Sequence, residues 1–149
     1  MTAPRLKLVV CEDGREYLER FQRFLGESFD FLPAHDFAEA HAAAGAADGL
    51  LLDLDFRRTP GERLVDEQGN VPGALDAGTR ARLSETQGIL ILRGLRARGV
   101  GLPAVLFADL DDRTQVAFLE RTLAPLTVAD SRRGLAEIAA LLRAMRRPP

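Results

Sequence analysis

The sequence predicts an α/β protein, a doubly wound five-stranded parallel sheet, on three observations. Short apolar segments alternate with helical ones five times along the chain, the pattern of a parallel sheet with helices on both faces. The third apolar segment, GLLLDLDF (49–56), shows no polar alternation, as expected of a strand covered on both sides. The 149 residues, 46% hydrophobic and 28% charged, fit a single domain over 1–149 with a substantial core.

LKLVVC (6–11) is apolar and β-branched and reads as the first strand. In 14–27, Tyr17, Leu18, Phe21, Phe24 and Leu25 recur at helical spacing. FDFLPA (29–34) reads as a short strand, and the alanine-rich segment 36–47 as a helix ending before Gly49. After the third strand, 57–83 carries prolines, glycines and scattered charge with little periodicity. It reads as a long inserted surface loop with a short helical turn near its end. Ser84 and Gln87 have capping-box spacing for a helix over 85–99, with Leu90, Leu92 and Leu95 towards the core. PAVLFAD (103–109), a helix over 111–123 and PLTVAD (125–130) follow. Ser131 can cap a last helix, 132–147, with Leu135, Ile138, Leu142 and Met145 as its apolar stripe.

Composition excludes several function classes. A net charge of −2 argues against a general nucleic-acid binder. No apolar segment approaches the length of a membrane span, and the N-terminal apolar run is too short for a signal peptide, so the expectation is a cytoplasmic protein. The single cysteine, Cys11, rules out an intrachain disulfide and a cysteine metal cluster. His35 and His41 are lone histidines without a metal partner at ligand spacing. Arg143, Arg146 and Arg147 form a basic turn that complements a helix dipole. Of the 20 basic residues only Lys7 is a lysine, so any mechanism that needs a lysine must use it.

In open parallel sheets, ligands bind at the carboxyl ends of the strands, where strand order reverses. In a five-stranded doubly wound sheet the first and third strands meet there. The first is followed by Glu12 and Asp13 and the third reaches Asp53, so three carboxylates are expected to converge. Their repulsion raises at least one pKa, and a hard divalent cation relieves it. The pattern points to a weak Mg²⁺ site beside a carboxylate placed to meet a phosphoryl group.

LVVCED and LLLDLDF resemble the first and third strands of the CheY-like receiver domain of bacterial response regulators. The resemblance covers most of the chain, outside 57–83, and implies a flavodoxin-like (βα)5 fold. It implies a phosphoacceptor at Asp53 and metal ligation by Glu12, Asp13, Asp53 and the backbone carbonyl of Asp55. The family's Thr or Ser after the fourth strand is matched by Ala108. The family's lysine on the fifth strand is matched by Ala129, or in a shorter register by Ala124, and its aromatic switch residue by Leu126. Arg57 and Arg58 are the candidates to stand in for the lysine, with solvated loop charges as the plainer reading. The long loop after Asp53 is expected to lie over the site.

These departures predict a stand-alone pseudo-receiver: no enzyme, no output domain, and protein partners. A histidine kinase, an output protein or a second copy would meet the 57–83 loop or the face of the fourth helix, fifth strand and last helix. The alternative is a working Mg²⁺-dependent phosphoacceptor at Asp53. Asp-x-Asp also resembles the nucleophile motif of haloacid-dehalogenase-like phosphatases, and with Glu12 a Toprim-like nuclease site. Two strands precede the motif, however, and Phe56-Arg57 follows where a phosphatase has other residues.

Overall fold

The computed structural model describes residues 4–130 and 132–145. Five strands, β1 (Leu6–Cys11), β2 (Phe29–Ala34), β3 (Gly49–Asp53), β4 (Ala104–Phe107) and β5 (Leu126–Ala129), form one sheet in the order β2-β1-β3-β4-β5. Every pairing is parallel. The helices are α1 (Glu16–Leu25), α2 (Phe37–Ala44), α3 (Ala77–Glu85), α4 (Gln87–Ala97), α5 (Arg113–Thr122) and α6 (Leu135–Arg143), with a 3₁₀ turn at Gly61–Arg63. The fold is thus the expected α/β flavodoxin-like one, with an extra helix inside the third crossover. The Ser131 cap and the Arg146 and Arg147 charges lie outside the described residues.

The sheet separates two apolar layers. Leu8, Val10, Leu51, Val105 and Phe107 face α1 and α6 and pack with Phe21, Ile138, Leu142 and Met145. Val9, Cys11, Leu50, Leu52 and Leu106 face the other way, onto α2, α4 and α5. Each leucine so buried contributes about 1.5–3 kcal/mol relative to leaving it in water. In β3 both faces are covered, which is why its sequence shows no alternation. Phe24, expected on the core stripe of α1, is 55% exposed and lies under the Arg23 guanidinium instead.

The 57–83 segment differs from the expected loop. Asp76 caps α3 by accepting from the Thr79 amide at 2.7 Å, and Leu64 and Val65 are buried. Ser84 lies inside α3 and bonds back to the Ala81 carbonyl, so it does not start a capping box. Gln87 is buried, and its amide accepts from the Val65 N–H and donates to the Val65 and Leu83 carbonyls. Such an amide must find partners once it leaves water. Here its partners staple the insertion to the start of α4.

The tip of the insertion docks lower on the same helix. Gly69, at φ +77°, packs its backbone on Gly94, where an added Cβ would sit 2.8 Å from both the Gly69 Cα and the Phe37 ring. Arg98 donates to the Gln68 carbonyl and stacks 4.7 Å above Phe37. The segment therefore descends along the α2 and α4 flank, and only its first residues reach the carboxyl edge of the sheet. Gly94→Ala is expected to destabilise the fold by about 1–3 kcal/mol by forcing these backbones apart. An unchanged urea midpoint would show that the tip does not pack there.

Candidate functional site

The β1 and β3 ends meet at the reversal of strand order, with Cys11 opposite Leu52. Residues 12–13 and Asp53 are thereby neighbours, as expected. Their side chains, however, do not converge as a set of three. α1 has no local cap, because Arg15 occupies the N-cap position without a side-chain bond. Its free amides are answered instead by Glu12, whose two oxygens accept from the Tyr17 N–H at 3.0 Å and the Leu18 N–H at 2.9 Å. Glu12 is thus turned into the start of α1 and is buried. Burial raises its pKa, although those two amides pull the other way. The missing cap residue at Arg15 was the one sequence signal for this role.

Asp13 is taken by the insertion. Its Oδ2 accepts from the Arg58 backbone N–H at 3.0 Å and its Oδ1 from the Arg58 guanidinium at 3.0 Å. The same guanidinium reaches both oxygens of Glu16, at 2.7 and 3.0 Å. This holds the Glu16 carboxyl down at about 2. Arg57 pairs with Asp55 at 2.7 Å, and Asp55 also accepts from the Arg57 N–H. Of the two candidate phosphoryl partners, neither contacts Asp53.

Asp53 keeps one partner, the Leu54 N–H at 2.9 Å. Burial pushes its carboxyl up to about 6; the Leu54 amide opposes this, and the charges of Asp13, Glu12 and Asp55 add to the rise. Directly behind it, α4 begins so close that a Cβ at Gly88 would collide with the Asp53 carbonyl oxygen. On the far side, β4 and β5 close with the Ala108 N–H donating to the Ala129 carbonyl at 2.9 Å. Ala124 precedes β5 and so lies at the opposite edge, which selects Ala129 as the residue at the carboxyl end. Leu126 starts β5, opposite Ala104. Lys7 is near the amino end of β1, where its N–H bonds Asp48. Beyond Ala129, Arg132 bridges Asp130 at 2.7 Å and Asp109 at 3.3 Å. Sequence reasoning missed Arg132, although a basic residue two positions after an acid at a strand end was its signal.

Of the residues expected to hold Mg²⁺, Asp13 and Glu12 are engaged by N–H donors, while Asp53 has a single such partner. Both Asp13 oxygens and both Glu12 oxygens already accept N–H bonds. Among the described residues no three His, Cys, Asp or Glu side chains are grouped to hold a metal ion. His41 lies on the surface of α2, stacked on Phe37, and His35 Nδ1 meets the Glu12 carbonyl oxygen at 3.1 Å.

No protein-family model matches the sequence, and no curated protein sequence does. Solved structures do match. A Francisella response regulator receiver domain superposes with a TM-score of 0.64 at 15% identity, over 93% of this chain and 94% of that one. The fold is a receiver fold. The BeF3-activated N-terminal receiver domain of Klebsiella pneumoniae RstA gives 0.60 at 22% identity, over 92% and 95%. A two-component response regulator from Clostridium difficile gives 0.62 at 13%, over 94% of each chain. No helix among the described residues is long and apolar enough to cross a membrane.

Two stability predictions follow from this receiver-fold site. Asp53 has a higher pKa folded, about 6, than its ordinary 3.8, so the folded state binds more protons between those values and loses stability as pH rises through them. Asp53→Asn is therefore expected to stabilise the protein by about 1 kcal/mol at pH 8, after allowance for solvent screening, and not at pH 4. Denaturant midpoints at both pH values decide it, and an equal gain at both would contradict the charge argument. Glu12→Ala strips two amides of their acceptor and is expected to lower stability by about 2 kcal/mol. Retention of wild-type stability would mean that α1 does not depend on Glu12.

Proposed function

We propose that this chain is a degenerate receiver module of bacterial two-component signalling, cytoplasmic and non-enzymatic, that works by binding protein partners. The observation that carries the reading is the closure beside Asp53 by Ala108 and Ala129, two side chains with nothing to donate. An aspartyl phosphate would bring about two negative charges to this edge. Each charge-assisted hydrogen bond missing from it forfeits about 1.5–3 kcal/mol. The one lysine of the chain is near the amino end of β1, where its backbone N–H donates to Asp48, and cannot supply such a bond at the opposite edge. Arg58 is committed to Asp13 and Glu16, and Arg57 to Asp55.

The enzyme alternatives are weaker on the same geometry. A Toprim-like site would use Glu12 with the Asp-x-Asp pair, and Glu12 is occupied by α1. A haloacid-dehalogenase-like site would set the Asp55 carboxylate to work beside Asp53, and Asp55 is bonded to Arg57. The partner surface would be the face of α5, β5 and α6 or the docked insertion, and the partner a kinase, an output protein or a second copy.

Intact mass after incubation with acetyl phosphate and Mg²⁺ tests the proposal, with Asp53→Asn alongside. No phosphoryl increment on the folded wild type is expected. An increment on wild type and none on the variant would sink the reading and install Asp53 as a working phosphoacceptor.

A further inference from the structure

We propose that Arg58 is the resident cation of the carboxyl-edge site, so that the site is complete without a divalent metal. Three independent features of the chain seat it. The main chain and side chain of the same residue address the two oxygens of Asp13, from its N–H and its guanidinium at 3.0 Å each. The remaining face of the guanidinium is met by Glu16 in a two-pronged pair at 2.7 and 3.0 Å. Beneath it is Gly14, where an added Cβ would collide with the guanidinium and with Glu16 Oε2, so the absence of a side chain at 14 makes the space that this pair fills.

The geometry suits arginine. A planar fork with donors on both edges can satisfy two carboxylates at once, which a lysine ammonium does less well. Mg²⁺ needs one or two carboxylate oxygens with free lone pairs plus ordered waters. The Asp13 side chain is 6% exposed and has both oxygens bonded, so a cation there would compete with the guanidinium and the Arg58 amide. Glu12 is engaged by the Tyr17 and Leu18 amides, which leaves Asp53 as the one lightly bonded carboxylate at this edge. Arg58 is itself 57% exposed, so the seat is reached from solvent and its removal leaves no hole in the core.

The experiment combines metal binding with a mutant cycle. Mn²⁺ is titrated into the wild type, followed by electron paramagnetic resonance of the free ion, and Mg²⁺ is titrated while thermal unfolding is monitored at constant ionic strength. No saturable Mn²⁺ binding and no Mg²⁺-dependent shift are expected. Arg58→Ala is expected to lower the unfolding temperature by about 3 °C in wild type and to have little effect in an Asp13→Asn background. Gly14→Ala should do the same, by displacing the guanidinium, and should add nothing to Arg58→Ala. Saturable Mn²⁺ binding to wild type that Asp13→Asn abolishes would overturn the proposal. Additive effects of Arg58→Ala and Asp13→Asn would overturn it equally. A phosphorylated Asp53 without bound Mn²⁺ would sink the proposed function and leave the role of Arg58 standing.

Discussion

β3 has no free face, and the rest of the chain is arranged to cover it. Leu50 and Leu52 lean on α2, α4 and α5, and Leu51 leans on α1 and α6. A strand buried on both sides must sit inside the sheet, with crossovers passing over each face, as in the observed 2-1-3-4-5 order. It also fixes where the charge falls. A buried strand can carry an ionisable residue only where it emerges, and β3 emerges at Asp53, at the reversal of strand order. The tight start of α4 at Gly88 follows from the same geometry, since the insertion must return to the sheet against the backbone it left.

The chain answers its own carboxylates with arginine. Arg58 joins Asp13 to Glu16, Arg63 joins Asp36 to Glu39, and Arg132 joins Asp109 to Asp130. Each arginine spans two acids, a task for a fork and not for a point charge. Two of the three bind the third crossover to the rest of the fold, Arg58 at its start and Arg63 at the N-cap of α2. Arg98 and Gln87 hold its tip and its exit by bonds to backbone carbonyls. A segment rich in proline and glycine is thus fixed by side-chain bonds to elements far away in sequence, with Leu64, Val65 and Leu83 as its buried apolar anchors.

That distribution explains what the sequence could and could not reveal. The strands were legible because apolar runs of four to six residues have few alternatives, and Asp53 because a carboxylate ending such a run is rare. The extra helix α3 escaped notice because it has little apolar periodicity to betray it: Leu83 is its only large buried side chain. The orientation of Glu12 depends on an uncapped helix five residues on, a local clue that a motif match hides. The partner of Asp13 lies 45 residues away, and nothing in the composition of 57–83 distinguishes Arg58 from Arg57. Only folding decides that one is solvated beside Asp55 and the other is seated over Gly14.

A conformational switch needs an element with two arrangements of nearly equal free energy, and a ligand that prefers one of them. At the edge between Asp53 and β5 the movable parts are small. Ala108 and Ala129 are buried, joined by a backbone bond, and carry no rotor and no polar atom that a new charge could attract. The polar side chains nearby are already paired: Arg58 across Asp13 and Glu16, Arg132 across Asp109 and Asp130. To recruit either arginine, a charge on Asp53 would have to compete with the two carboxylates that already hold it. An edge wired in this way offers a charge on Asp53 few groups to move: two buried methyls and two arginines already held by carboxylates.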